Sequence, residues 1–415
     1  MIEYLPTIIT FLFLLIILSY YLLIFITPKK PKQEKSFSSI TVIIPAHNEE
    51  RYIKECIESV LQAQFKGEKE IIVVDDGSTD KTADIVSNNF SVRLIRQEHT
   101  GKSASINKAL SIAKGELIAI VDGDSYIHKD SLQEITKEVE GKNVVAASCV
   151  IKVRNRNKFI CMWVHIEQLY NSLMRHILSK VNANIVTPGP LSIYRKKELL
   201  DVGGFSTKGF SEDLDITIRL IRKGYTVGFA RKALAETNMP YRTKEFLRQR
   251  TRFARGMINI FKRHLSLNKT LIDLYTLPIF LFTYIQAIVM GSFTIYQIVS
   301  GYITYFFSKG IYFSLPVLKF FFEWLSIVGF VKWALNAAVG NIPLTFITII
   351  GIISTLLSYP LYFYAVAKYD RKFDLWHIIP LFFMFPFWLL IMLIYILCLP
   401  EYFIKKQHNI WKKNE

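Results

Sequence analysis

Cysteine is scarce: 415 residues hold four (Cys56, Cys149, Cys161, Cys398), with no CxxC and no Cys/His pairs at ligand spacing. That excludes a disulfide framework and a zinc site. Charge is thin too, at 20% of residues, and acid is scarcer than base, which leaves a net charge of +17. No GxxxxGK[ST] loop is present, so a P-loop nucleotidase is excluded, and no GxGxxG follows the first predicted strand. No repeat or glycine-rich linker marks an extra regulatory domain. What the chain has in quantity is apolar surface, with 51% hydrophobic and 14% aromatic residues. That excludes a disordered or fibrous protein. The length allows two or three domains of roughly 150 residues each. A mean hydropathy of +0.27 with a pI of about 9.5 fits a membrane protein with basic cytoplasmic flanks. Nucleic acid is the other partner such a charge suggests, and the apolar segments argue against it.

Tyr4 to Pro28 carries no charge and is followed by Lys29, Lys30 and Lys32. It is long enough to cross about 30 Å of hydrocarbon as a helix. A cleaved signal peptide would have a shorter apolar core with basic residues before it. The basic residues instead put the start of the chain outside and the next segment in the cytoplasm. After Asp273 the chain turns apolar again: Leu274 to Ser308, Trp333 to Ala367 and Ile378 to Pro400 are uncharged. Ile311 to Phe330 is apolar but broken by Lys319 and Glu323, and either spans with those charges inward or lies flat on the surface. Lys405, Lys406, Lys412 and Lys413 suggest an inside end, which needs an even number of C-terminal crossings. Four crossings would leave Lys368, Asp370, Arg371 and Lys372 outside, against the same rule, so three or four both stand.

Between about residues 36 and 270 the apolar runs shrink to strand length. Ile40 to Pro45, Glu70 to Asp75 and Leu117 to Asp122 are β-branched runs suited to strands buried on both faces of a parallel sheet. Helical patterns over Glu49 to Leu61, Thr79 to Val86 and Lys102 to Ala113 alternate with them. The expected fold is an open α/β sheet whose ligand sits beyond the carboxyl ends of its strands. Those ends carry Pro45-Ala-His-Asn-Glu49, Asp75-Asp76-Gly77 and Asp122-Gly123-Asp124. The paired carboxylates of Asp122 and Asp124 suit Mg²⁺ or Mn²⁺, which would neutralise a diphosphate leaving group. Lys102 opens the following helix, and the combination points to a nucleoside diphosphate.

Ser211-Glu212-Asp213 opens a helix, where acids complement the dipole or serve as a general base. Asp213 and Asp215 are not separable by sequence. Gln249 to Gly256 is strongly basic, and Arg248 and Lys262 suit anionic headgroups. Phe159 to Ile177 is either an interfacial helix or a buried helix of the soluble unit.

The order Asp76, Asp122-x-Asp124, Ser211-Glu212-Asp213, Gln249-x-x-Arg252-Phe253 resembles the processive glycosyltransferase family 2 enzymes that make cellulose, hyaluronan, chitin and poly-N-acetylglucosamine. The resemblance covers about residues 38 to 265. It implies a GT-A-type α/β nucleotide-sugar-binding domain, with a mostly parallel sheet, inserted between transmembrane helices. Its expected parts are a membrane helix over 1–28, a cytoplasmic GT-A domain over 36–245 and an interfacial helix over 246–270. A three- or four-helix bundle over 271–400 and a basic tail over 401–415 complete it.

By the same resemblance Pro45, Glu49, Asp76, Lys102, Asp122, Gln249 and Arg252 would bind the nucleotide sugar, Asp76 through the uracil. Asp124 and Asp122 would hold Mg²⁺ or Mn²⁺, Asp213 would be the base with Glu212 beside it, and Phe253, Gly189 and Pro190 would meet the acceptor. Ser211 stands where the family has Thr, and Phe253 where it has the acceptor-stacking Trp, losing the indole N–H. The implied protein is a multi-pass enzyme of the cell membrane that polymerises a β-glycan from a UDP-sugar, GlcNAc or glucose. It would export the glycan past Lys319 and Glu323. Single transfer to a membrane lipid or polyprenyl phosphate is the alternative, and a silent nucleotide-binding scaffold a third. Its partners would be the donor, the growing glycan and membrane lipid, with no nucleic acid; an accessory subunit is compatible with the layout.

Overall fold

The computed structural model describes residues 4–27, 35–209, 211–266, 270–370 and 373–400. Lys29, Lys30, Lys32, Arg371, Lys372 and the tail lysines, on which the expected topology leaned, lie outside them.

The chain begins with helix α1 (Leu5–Phe25). An alternating run follows: β1 (Ser39–Ala46), α2 (Ile53–Gln62), β2 (Glu68–Asp76), α3 (Thr82–Asn89), β3 (Arg93–Gln97) and α4 (Lys102–Ile112). Then come β4 (Leu117–Ile120), β5 (Ser125–Ile127), α5 (Ser131–Val139), β6 (Val144–Val153) and the long α6 (Phe159–Ser179). The unit closes with β7 (Ser192–Arg195), α7 (Lys196–Asp201), α8 (Glu212–Arg222), β8 (Thr226–Thr237) and α9 (Thr243–His264). The rest is helical: α10 (Leu277–Tyr305), α11 (Leu315–Leu325), α12 (Ile327–Ala338), α13 (Phe346–Tyr369), α14 (Leu375–Phe382) and α15 (Met384–Cys398).

The eight strands form one sheet in the order β3-β2-β1-β4-β7-β6-β8-β5. The β3-β2-β1-β4 half is parallel, as the continuous apolar runs require. Period-two geometry sends Ile40, Val42 and Ile44 to one face, where Ile53, Ile57 and Val60 of α2 cover them. Ile43, Ile72 and Val74 face the other way, onto Ile106 and Leu110 of α4. Because β1, β2 and β4 run together, Ala46, Asp75 and Asp122 reach the same edge.

Helix α6 resolves its two readings as a buried element. Trp163, Ile166, Leu169, Leu173 and Ile177 share one core with α9, α13 and α15. The sheet unit is therefore packed against the apolar helices rather than tethered to them. A carboxylate hub reinforces this junction. Asp370, just past α13, accepts from Lys152 (3.0 Å), Arg156 (3.3 Å), His165 Nε2 (2.9 Å) and His377 Nε2 (3.0 Å). His165 accepts the Val153 N–H at Nδ1 (3.3 Å), which leaves its Nε2 to donate to Asp370, while His377 places Nδ1 beside the Asp374 N–H (3.1 Å) and carboxylate (2.9 Å). Lys152, Arg156 and the two imidazoles thus anchor the Asp370 anion. Burial opposes ionisation of Asp370, but its His and Lys partners outweigh it and hold the carboxyl well below the usual range. A depressed carboxyl contributes its stability above about pH 4 and loses it only in stronger acid. Asp370→Asn should therefore lower stability by about 3 kcal/mol near neutral pH, read as an earlier thermal transition in detergent.

Three described helical segments are long and apolar enough to cross a membrane: Leu5–Phe25, Ile272–Lys309 and Phe346–Tyr369. The pair α14 and α15 makes a fourth if counted as one span bent by 59°. Two of the apolar runs are interrupted. The uncharged run Trp333 to Ala367 is not one helix, because α12 stops at Ala338 and Gly340 turns the chain at a φ of 82° before α13 begins. Ile311 to Phe330 is not one span either, since it breaks at Ser326, whose backbone is extended. A Cβ on Gly329 would lie 2.0 Å from the Glu323 carbonyl oxygen, so glycine lets α12 fold back onto the end of α11. At 1.5 Å per residue neither helix reaches across roughly 30 Å. Lys319 is exposed and Glu323 pairs with Lys332 (2.8 Å), so the polar lining expected of them is not seen.

Candidate functional site

A cavity of about 1060 Å³ opens at the carboxyl edge of the sheet. Its lining includes Pro45, Glu49 and Thr79 of the sheet edge and Met257 of α9 and Phe280 of α10. Lys102, Asp122, Asp124, Gly189, Pro190, Glu212, Asp213, Gln249, Arg252 and Phe253 line it as well. The fold thus brings together every expected site residue but one. Asp76 lies beneath the wall with a fully buried side chain. Its carboxylate accepts from Gln97 (2.8 Å), the Thr100 N–H (2.9 Å) and the Gly101 N–H (2.9 Å), and meets His99 at 2.9 Å. These partners overcome burial and hold it ionised, below the usual carboxylate range. The expected contact with uracil is corrected accordingly: Asp76 fixes the turn that leads into α4 and aims Lys102.

Lys102 Nζ lies 2.6 Å from Asp122 Oδ1 and 3.1 Å from Glu212 Oε1, joining the end of β4 to the start of α8. Burial works against the ammonium, but the two carboxylates raise it above its ordinary value. Asp122 is pushed up by burial and by the nearby Asp124 charge, with Lys102 opposing. Two hard-oxygen carboxylates that repel one another in a shared cavity fit a divalent cation, which would relieve the repulsion. Glycine at 189 is part of that fit: a Cβ there would sit 2.2 Å from Asp122 Oδ2. Gly189→Ala should displace the carboxylate at a cost of about 1–3 kcal/mol. We expect the Mn²⁺ concentration for half-maximal activity to rise by at least about five-fold, read in a metal titration.

The start of α8 separates two adjacent acids. Burial would raise Glu212, but Lys102 and Arg252 outweigh it and hold it low. Asp213 is pushed up to about 7 by burial and by the Glu212 charge, against Lys102. Neighbouring carboxyls driven apart in this way mark a resting anion and a group able to exchange a proton near neutrality. Asp213 Oδ1 takes the Leu214 N–H at 2.9 Å, and its carbonyl takes the Thr217 hydroxyl at 2.6 Å. Asp215, its rival in the sequence, is withdrawn: it is buried and held by Arg219, Arg263 and His264, each at 2.8 Å.

Across the cavity α9 presents Gln249, whose Oε1 is buried with no partner among the described residues. Phe253 is 43% exposed, with the Arg252 guanidinium 5.8 Å from its ring centroid. Sequence reasoning missed what holds α9 there. Arg250 forms a buried two-pronged pair with Glu167 of α6, at 2.7 and 2.5 Å. The residues are 83 positions apart, so no local spacing announces the pair.

A profile described as "Glycosyl transferase family 2" matches residues 41–201, which include Lys102, Asp122, Asp124 and Gly189 but end before Glu212. The chain is 31% identical over 244 residues to "Probable glycosyltransferase YdaM" of Bacillus subtilis (strain 168), covering 55% of this chain and 57% of that protein. It is 27% identical over 257 residues to an "N-acetylglucosaminyltransferase" of Azorhizobium caulinodans, covering 58% and 65%. It is 26% identical over 237 residues to "Poly-beta-1,6-N-acetyl-D-glucosamine synthase" of Staphylococcus aureus (strain COL), covering 55% and 57%. The chain thus spans less than two thirds of the length of these relatives. In fold it resembles a mannosyltransferase from Pyrobaculum calidifontis, solved in complex with GDP-Man and Mn²⁺. The TM-score is 0.59 at 20% identity, over 90% of this chain and all of that one.

Proposed function

Because residues 41–201 match the glycosyl transferase family 2 profile, we propose that the chain is a membrane-embedded, inverting glycosyltransferase that extends a β-linked glycan from UDP-GlcNAc. UDP-glucose is the second donor to try. The observation that carries the reading is Asp213, raised to about 7 beside a Glu212 held low, in one cavity with Asp122, Asp124 and Lys102. GlcNAc is favoured because two of the relatives are named for its transfer or polymer.

In this mechanism an Asp213 carboxylate oxygen takes the proton of an acceptor hydroxyl. The freed oxygen attacks the anomeric carbon from the face opposite the diphosphate. The bond from that carbon to the diphosphate oxygen breaks, and UDP leaves with the electron pair. Lys102 and Arg252 offset the charge that develops on the leaving group. Mg²⁺ or Mn²⁺ on Asp122 and Asp124 supplies further charge neutralisation when bound. The cytoplasm is the proposed side for the cavity, the cell membrane the location, and the apolar helices the route for the product.

A second reading, a single transfer to a lipid-borne acceptor, draws on Phe253 and on the apolar lining residues Met257 and Phe280. UDP release from UDP-GlcNAc, UDP-glucose and GDP-mannose, with and without EDTA, tests the proposal. Release from a UDP-sugar that falls at least about 100-fold on chelation is expected. Release only from GDP-mannose, or release untouched by chelation, would contradict it.

A further inference from the structure

Helix α6 is buried along most of its length, and Gln168, Asn171 and Arg175 are among the polar side chains it carries. Their spacing of three and four residues puts them on one face of the helix. All three line the cavity, as do Gln249 and Arg252 of α9. Among the described residues the Gln168 and Asn171 side chains have no hydrogen-bond partner.

Arg175 is only 6% exposed. One guanidinium nitrogen donates to Ser172 Oγ (2.9 Å) and the Cys149 carbonyl (3.4 Å), while its Nε is buried with no partner among the described residues. A buried donor left unmade is costly unless a ligand completes it. Burial lowers the guanidinium to about 10, and the Asp213 charge is among the groups that oppose the shift. The arginine therefore lies within electrostatic reach of the proposed base.

We infer that Gln168, Asn171 and Arg175 form the acceptor wall, a subsite that hydrogen-bonds the terminal glycosyl unit and brings its hydroxyl to Asp213. The inference rests on the proposed function and names a part of the site that none of the relatives' names assigns. The chemistry of the wall selects the ligand. Two neutral carboxamides, each able to donate and accept, match the hydroxyls and acetamido group of a sugar. A phosphate would be better served by several cations, and this wall supplies one. Gln168 and Asn171 orient the acceptor without touching the breaking bond, so they are positioning residues.

The test uses the full protein in detergent with Gln168→Ala, Asn171→Ala, Arg175→Lys and Arg175→Met variants. The probe is a short β-linked N-acetylglucosamine oligosaccharide, whose affinity is measured calorimetrically with and without UDP and Mn²⁺. UDP affinity is measured in parallel. Each alanine variant is expected to weaken oligosaccharide binding by about five-fold, the worth of one hydrogen bond, with UDP affinity unchanged. Arg175→Lys should bind better than Arg175→Met. Oligosaccharide affinity equal to wild type in both alanine variants would overturn the wall, as would a loss confined to the Arg175 variants or a loss matched by UDP affinity. Gln168 and Asn171 are half-buried cavity residues, so their variants keep the test open if the arginine variants fail to fold. A wild-type protein that binds no UDP would sink the proposed function instead, and oligosaccharide binding without nucleotide would still decide the wall.

Discussion

An Asp213→Asn protein is expected to bind UDP as the wild type does and to transfer sugar about 10²–10⁴-fold more slowly. Asparagine keeps the shape and the backbone contacts at Leu214 and Thr217 but cannot take a proton. The wild-type rate should rise with pH through about 7, because the base works only when ionised and burial beside Glu212 has moved its titration there. The same shift gives a stability control with a definite sign. A carboxyl whose folded value is raised destabilises the fold as pH climbs from its ordinary value, about 4, towards 7. The Asp213→Asn chain, neutral at that position, should therefore melt no lower than wild type at pH 8. Lost activity with equal or higher melting temperature is the signature of a removed base. Lost activity with early melting would point to damage instead.

The second large effect belongs to Lys102. In Lys102→Met the carboxylates of Asp122 and Glu212 lose the ammonium that bridges them at 2.6 and 3.1 Å. Removing the cation also removes a group that lowers Asp213. Two consequences follow together. Transfer should fall by about 10²–10³-fold, the usual cost of deleting one preorganised electrostatic group. The residual activity should have its rising limb moved to higher pH. A plain structural loss would reduce the rate without moving the profile, so pH dependence separates the explanations. Lys102→Arg, which keeps the charge, should recover part of the rate.

What the sequence revealed and what it hid divide along sequence separation. The runs at Ile40, Ile71 and Leu117 are legible as buried parallel strands because their side-chain pattern is local. The carboxyl-edge residues are legible too, since a strand followed by acids fixes where the acids stand. Asp213 and Asp215 share one turn of α8 and look alike. They differ only through Arg219 on the same helix and Arg263 and His264 on α9, and those partners consume Asp215. Asp76 shows the converse, a motif acid placed under the site because the 97–101 turn claims its oxygens. Glu167 with Arg250, and Asp370 with His165, are long-range pairs that no spacing reports. Hydropathy alone also hides the breaks at Ser326 and Gly340, since uncharged residues continue through both.

The proposal of a glycan-extending enzyme is tested most directly by the size of its labelled product. The purified protein would be given radiolabelled UDP-GlcNAc with Mn²⁺ in nanodiscs, beside the Asp213→Asn control. The expected result is high-molecular-weight material, sensitive to a β-N-acetylglucosaminidase and absent from the control. Label that moves only into the organic phase, or polymer that persists in the Asp213→Asn protein, would contradict it.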